Sequence, residues 1–224
     1  MSGEKDYLSE GEWQSAMESA ENRLIKLSGI PLIDLRKDFV TIEMDGNPFR
    51  VRTFEIGEKS KETLVITHGY TASALTYYTM LKQLSETYRL VLFDNGSWGL
   101  NTRLKECEAV NSPKASETWL IDWMQKVFEK LDLPNQYYLA GMSLGGYLMS
   151  LYASVAPAKV KALFLLTPLG TEPYNHATYD PYKLNFPFTL KPATRKQINE
   201  GLTQEKEKIH QLEFLRDAPL SVIR

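Results

Sequence analysis

The sequence predicts an α/β protein: a doubly wound, mostly parallel sheet of about six strands, followed by a C-terminal cap-like segment. Three observations carry this expectation. Four short apolar runs, at 64–67, 90–93, 137–140 and 162–166, have the near-continuous hydrophobicity of strands buried on both faces. Stretches of helical character separate them, at about 74–86, 116–131 and 144–156, and strands alternating with helices of this length build parallel sheets. The chain has 224 residues, 43% hydrophobic and 24% charged, which is ordinary globular composition with enough length for a sizeable core.

Charge and cysteine content exclude other classes. Lys and Arg number 26 against 28 Asp and Glu, a net charge of −2, so no field favours nucleic acid. Cys107 is the one cysteine, which rules out an intrachain disulfide and points to a reducing compartment. No run of 18 apolar residues predicts a transmembrane helix. The polar start of the chain has no apolar core of a signal peptide. The expected location is therefore intracellular, in the cytoplasm or at the periphery of a membrane.

In chain order, Ser9 and Glu12 have the spacing of a capping box. Trp13, Met17, Ala20, Leu24 and Leu27 then form one apolar stripe, and Gly29 and Pro31 supply the stop. Residues 1–30 read as an amphipathic helix that either packs on the domain or lies on a lipid surface with Trp13 as anchor. Residues 39–44 and 49–54 read as two strands joined by a turn of Asp45, Gly46, Asn47 and Pro48. Residues 31–170 form the predicted core. Beyond it, 171–195 are rich in Pro, Tyr, Asn and Thr and read as loop. Residues 200–215 read as a charged helix, so 171–224 is a cap-like or lid-like excursion.

The chemistry concentrates in three places. The first is Gly141-Met142-Ser143-Leu144-Gly145, after one predicted strand and opening a predicted helix. That is the context of a nucleophile elbow, in which a tight turn presents Ser143 at the end of the sheet. Small residues at Gly141 and Gly145 let strand and helix approach, and the helix N-terminus favours negative charge nearby. The second is His68-Gly69-Tyr70, directly after a strand. In an acyl-transfer site such a loop supplies one oxyanion donor and the residue after the nucleophile the other, here the N–H groups of Tyr70 and Leu144. His68 then orients the loop and is not the base. The third is the loop from Asp94 to Arg103, at the sheet edge where open α/β sheets bind ligands. Asp94 reads as a structural turn residue, with catalysis as the alternative. Tyr70, Trp98, Met142 and Tyr147 read either as an acyl-favouring mouth or as core. The sequence offers no metal cluster and no phosphate loop, and no cofactor is expected.

These elements, in this order, resemble the α/β-hydrolase fold family over about 38–170. The chain looks most like the abhydrolase-domain branch of phospholipid and lysophospholipid lipases, which also includes a lipid-droplet lipase coactivator. The run from Ala20 to Leu24, residues 91–103, residues 139–152 and Leu166-Thr167-Pro168 carry the likeness. Ser97 stands where that branch has glycine and Asn101 where it has serine. The branch's acyltransferase-like His-x4-Asp motif is absent, because His176 and Asp180 have three residues between them.

The resemblance implies a serine hydrolase acting on a lipid-like acyl ester, with no nucleic-acid partner. It also implies a base and an acid from loops after later strands. Only His176 and His210 follow Ser143. His176 is the stand-in candidate, His210 reads as a surface residue, and Glu172 is the nearest acid. The sequence therefore reads as shortened before the last strands. It is either a fragment of a longer hydrolase or a non-catalytic subunit that serves binding or assembly. In both cases an open sheet edge calls for a protein partner, and the chain alone is expected to be inactive.

Overall fold

A computed structural model of the chain describes residues 9–103 and 113–168. Cys107, Glu172, His176, Asp180, His210 and the cap-like segment lie outside the described residues. Residues Ile25–Leu169 form one unit, and Met1–Leu24 group with Gly170–Arg224 in another.

Helix α1 spans Glu10–Ser28 and opens on the capping box. The Ser9 N–H donates to Glu12 Oε2 at 2.9 Å, and the Glu12 N–H donates to Ser9 Oγ at 3.4 Å. The Ser9 hydroxyl, which donates to Glu12 Oε2 at 2.6 Å, and then the Ser9 N–H hold the Glu12 carboxyl below its ordinary pKa. The helix stops at Gly29, whose φ of 71° suits a residue without Cβ. Met17, Ala20, Leu24 and Ile25 are buried, whereas Leu27 is exposed. The buried stripe therefore runs on to Ile25 and Ser28, and Leu27 falls at its margin, because successive turns at 3.6 residues rotate it off the face.

Strands β1 (Leu35–Met44) and β2 (Asn47–Ile56) form an antiparallel hairpin. Its turn is tighter than the sequence suggests. Asp45 and Gly46 alone make it, with φ of 51° and 72°, the pair of left-handed residues that a type I′ turn requires. Asn47 and Pro48 belong to β2, paired with Met44 and Glu43. Proline is tolerated there because β2 pairs with its other neighbour only from Thr53 onward, so a missing N–H breaks no ladder on that side.

The parallel part follows as β3 (Glu62–Thr67), α2 (Tyr78–Thr87), β4 (Tyr88–Phe93), α3 (Pro113–Lys130), β5 (Tyr137–Met142), α4 (Leu144–Val155) and β6 (Val160–Leu166). A 3-10 turn, Ala74–Tyr77, leads into α2, where the sequence pattern suggests one continuous helix. The sheet order is β1-β2-β4-β3-β5-β6. Pairs β3/β4, β3/β5 and β5/β6 are parallel, and β2/β4 is antiparallel. The chain thus winds outward from β3 in both directions. The loops after β3, β4 and β5 all emerge at one edge, beside the central strand.

Alternation along each strand divides the core. Val65, Val91, Phe93 and Leu139 face a cluster with Trp123, Met124, Val127 and Phe128 of α3 and Leu148, Met149 and Tyr152 of α4. Leu64, Ile66, Leu90 and Leu92 are buried on the opposite face, where α2 packs on β4. Strand β6 ends the sheet order, and Phe164, Leu165 and Leu166 are 41–46% exposed. Among the described residues no helix is long and apolar enough to cross a membrane.

Candidate functional site

Three backbone segments converge at the carboxyl edge of β3, β4 and β5. At the end of β5 the chain turns sharply into α4 through Ser143, with φ 52° and ψ −119°. That conformation is strained for a residue with a side chain. The Ser143 N–H donates to Leu166 O at 3.0 Å and the Ser143 carbonyl accepts from the Tyr147 N–H at 3.2 Å, so both neighbours hold the turn. Ser143 itself is half-buried. Thr71 and Thr167 also have positive φ, 57° and 43°. Among the described residues, the left-handed non-glycine residues other than the hairpin's Asp45 all stand at this edge. Backbone strain gathers at functional sites because the surroundings must enforce it.

The turn requires glycine on both sides. A Cβ on Gly141 would lie 2.3 Å from Gly145 O, and one on Gly145 would lie 2.5 Å from His68 O and 2.7 Å from Thr67 O. The predicted small positions therefore do more than admit the helix. Gly145 seats α4 directly under the backbone of the His68 loop. Gly69 completes the approach, because its Cβ position is 3.3 Å from Ser143 Cβ and from Met142 O. The structure thus brings Ser143, Gly141, Gly145, His68 and Gly69 together. Tyr70 is the next residue on that loop. Leu144 opens α4, where the first N–H groups lack an intrahelical carbonyl.

His68 is fully buried. Its Nε2 accepts the Asn95 N–H at 2.9 Å, and its Nδ1 is 2.7 Å from Gly69 O. Both nitrogens are committed to backbone groups, Nδ1 on its own loop and Nε2 on the loop after β4, which leaves neither free to act as a base. Burial outweighs the Gly69 hydrogen bond and holds the ring at a pKa of about 4, against 6.5 for the free side chain. The unfolded ring takes its proton near 6.5 and the folded ring near 4, so between these values the unfolded state binds more protons. This contribution to stability is complete above pH 6.5 and is lost as pH falls toward 4, on the order of 3 kcal/mol in all. Urea unfolding of wild type and His68→Gln between pH 7 and 4.5 measures it. The wild type should lose more stability across that window than the variant, and equal slopes would contradict the assignment.

Asp94, also buried, accepts the Ala74 N–H at 2.7 Å on Oδ1 and the Leu100 N–H at 3.3 Å on Oδ2. A Cβ on Gly99 would overlap Asp94 Oδ2, at 1.7 Å. Its oxygens thus tie the start of the Ala74 turn to the end of its own loop. Asn101 closes that loop. Its Nδ2 donates to Asp94 O and Gly96 O at 2.8 and 2.7 Å, and its Oδ1 accepts the Arg52 N–H at 2.6 Å. Three bonds from one side chain explain asparagine here, since a serine hydroxyl has only one proton to donate. Arg103 donates to Gly99 O at 3.0 Å.

Above this frame Trp98 stands between two rings, edge-on to His68 at 6.0 Å and to Tyr70 at 5.2 Å. Tyr70 is 52% exposed, and Trp98, Met142 and Tyr147 are half-buried. Tyr147 packs against the core cluster, and Tyr70, Trp98 and Met142 are not part of that cluster. Tyr77 links the two loops from behind. Its hydroxyl donates to Thr67 O at 2.9 Å and shares a backbone hydrogen bond with Met142, and burial pushes its pKa up to about 12. Sequence reasoning missed Tyr77 and Asn95. Both act on residues distant in the chain, and no local pattern marks them. Among the described residues no group of three or more His, Cys, Asp or Glu could hold a metal ion.

Comparison with known proteins agrees with this fold. The family model for the alpha/beta hydrolase fold matches residues 62–219. The abhydrolase domain-containing protein abhd-5.2 of Caenorhabditis elegans is 28% identical over 153 residues, covering 67% of this chain and 34% of that protein. A probable 1-acylglycerol-3-phosphate O-acyltransferase of Oryza sativa subsp. japonica is 33% identical over 119 residues, covering 53% of this chain and 28% of its own length. The match thus spans about a third of the length of these curated relatives. Among solved structures, the carboxylesterase CesB from Bacillus subtilis superposes with a TM-score of 0.65 at 19% identity. That superposition covers 94% of this chain and 68% of the esterase. The chain belongs to the alpha/beta hydrolase fold family.

Proposed function

We propose that the chain carries the nucleophile part of a serine ester hydrolase acting on a lipid-like acyl ester. The observation that carries this reading is Ser143, held at φ 52° between β5 and α4 with the Gly69 backbone packed against its Cβ. In this reading Ser143 Oγ attacks the ester carbonyl carbon, and its proton passes to a histidine other than His68. The oxygen that becomes negative takes hydrogen bonds from the Tyr70 and Leu144 N–H groups, preorganised donors of the kind that stabilise such charge. Collapse expels the alcohol, whose oxygen takes the proton back from that histidine, and leaves an acyl group on Ser143. Water, deprotonated by the same base, then releases the acid. The aromatic rim of Tyr70 and Trp98 favours an apolar acyl chain. The acylglycerophosphate chemistry named for the rice relative supports a lipid substrate.

A second reading also has an observation in its favour. His68, the one histidine among the described residues, has both nitrogens bonded, and β6 exposes Phe164, Leu165 and Leu166. A non-catalytic subunit whose partner covers that strand would look the same. Turnover of p-nitrophenyl esters from butyrate to longer acyl chains, on the longest natural form, separates the two. The hydrolase reading expects turnover that Ser143→Ala removes, by several orders of magnitude. Absent turnover, or turnover unchanged in Ser143→Ala, would favour the subunit.

A further inference from the structure

We infer that Asn95 is a positioning residue for the oxyanion loop, holding His68 in one neutral tautomer and so fixing the Gly69-Tyr70 backbone beside Ser143. The inference rests on the hydrolase reading of Ser143. Asn95 is fully buried and engages the end of β3 through three groups. Its N–H donates to His68 Nε2, its Nδ2 donates to His68 O, and its Oδ1 accepts the Thr67 hydroxyl. A nitrogen that accepts carries no proton, so the ring proton sits on Nδ1 and donates to Gly69 O.

Protonation would set an Nε2–H against the Asn95 N–H, two donors 2.9 Å apart. The groups facing the ring are few. The Asp94 carboxylate, 3.8 Å from Nε2, favours a charged ring, but its oxygens accept the Ala74 and Leu100 amides. Arg103 lies within electrostatic range of Asp94, and the Tyr77 hydroxyl is committed to Thr67 O. The Asn95 backbone N–H is what selects the tautomer.

The Asn95 side chain, in turn, holds the loop's backbone. His68 O, which Asn95 Nδ2 holds, is also the atom that Gly145 packs against, and Gly69 packs on Ser143. A change at Asn95 therefore reaches Ser143 through one residue of backbone. The position needs a donor and an acceptor in one short side chain. Aspartate keeps the shape, loses the donor and adds a negative charge near Nε2.

The test has two arms. The first uses the 224-residue chain labelled with 15N-histidine, with His68 assigned by its loss in His68→Gln, and long-range 1H–15N spectra from pH 5 to 8. The inference expects an Nδ1–H tautomer that does not titrate in wild type, and a ring that titrates within that range in Asn95→Asp. An Nε2–H tautomer, wild-type titration near 6.5, or identical behaviour in Asn95→Asp would overturn it. The second arm measures fluorophosphonate labelling of Ser143 in the longest natural form. Asn95→Ala should lower the limiting labelling rate about 100-fold, the scale of an ångström-size misplacement, with half-saturation unchanged. An unchanged rate would overturn the positioning role. Should Asn95→Ala fail to fold, wild type and Asn95→Asp still decide. Should wild-type Ser143 resist the probe while the spectra come out as expected, the hydrolase reading fails and the hold of Asn95 on His68 stands.

Discussion

Gly145→Ala should both destabilise the protein and silence Ser143. The added Cβ would lie 2.5 Å from His68 O, 2.7 Å from Thr67 O and 3.0 Å from the His68 carbonyl carbon. All three are backbone atoms, and none can swing aside as a flexible side chain would. Either α4 or the end of β3 must shift. Overpacking of this kind costs about 3 kcal/mol, which for a domain of this size lowers the melting temperature by roughly 6–12 °C. The moved atoms belong to the loop that carries Tyr70, so fluorophosphonate reactivity should fall about 100-fold as well. Gly141→Ala, with its Cβ 2.3 Å from Gly145 O, should behave alike. Gly11→Ala, at an exposed position of α1 with nothing within 4 Å, should lose no stability. Calorimetry and labelling of the three variants check this, and a wild-type melting point in Gly145→Ala would contradict the close seating of α4 under β3.

Trp123→Ala should be the most damaging change in the core, at about 3–5 kcal/mol. Trp123 is fully buried, edge-on to Phe49 at 6.3 Å and tilted against Phe93 at 6.0 Å. It fills the space where α3 meets β2 and β4, and no neighbour can collapse into so large a void without loosening the hairpin. Its indole N–H has no hydrogen-bond partner. Trp123→Phe should therefore cost far less than Trp123→Ala, because removing an unsatisfied buried donor offsets part of the lost packing. Urea denaturation of the two variants gives the comparison. Equal losses would mean that the ring's contacts contribute little.

How much of this the sequence discloses depends on how local the cause is. Ser9 with Glu12, Gly29, and the Gly-x-Ser-x-Gly string are short-range devices, and each stands in the structure where the pattern puts it. Strand beginnings are less legible. Strand β3 opens at Glu62 and β4 at Tyr88, ahead of the apolar runs, because Thr63 and Arg89 are buried polar residues. Arg89 is satisfied by Glu55 at 2.7 Å, 34 positions away in the chain. The hairpin turn reads too wide because Asn and Pro are turn formers by composition, and only the paired left-handed geometry of Asp45 and Gly46 restricts it to two residues. Asn95 is silent for the same reason as Arg89. Its partners Thr67 and His68 come from another strand, and the loop around it reads as generic.

The central claim is that Ser143 is a nucleophile. The most direct measurement is intact-mass and peptide analysis of the longest natural form after reaction with a fluorophosphonate, beside Ser143→Ala. The account predicts one adduct per chain, on the peptide holding Gly141 to Gly145, absent from the variant. No adduct, or an adduct that persists in Ser143→Ala, would contradict it.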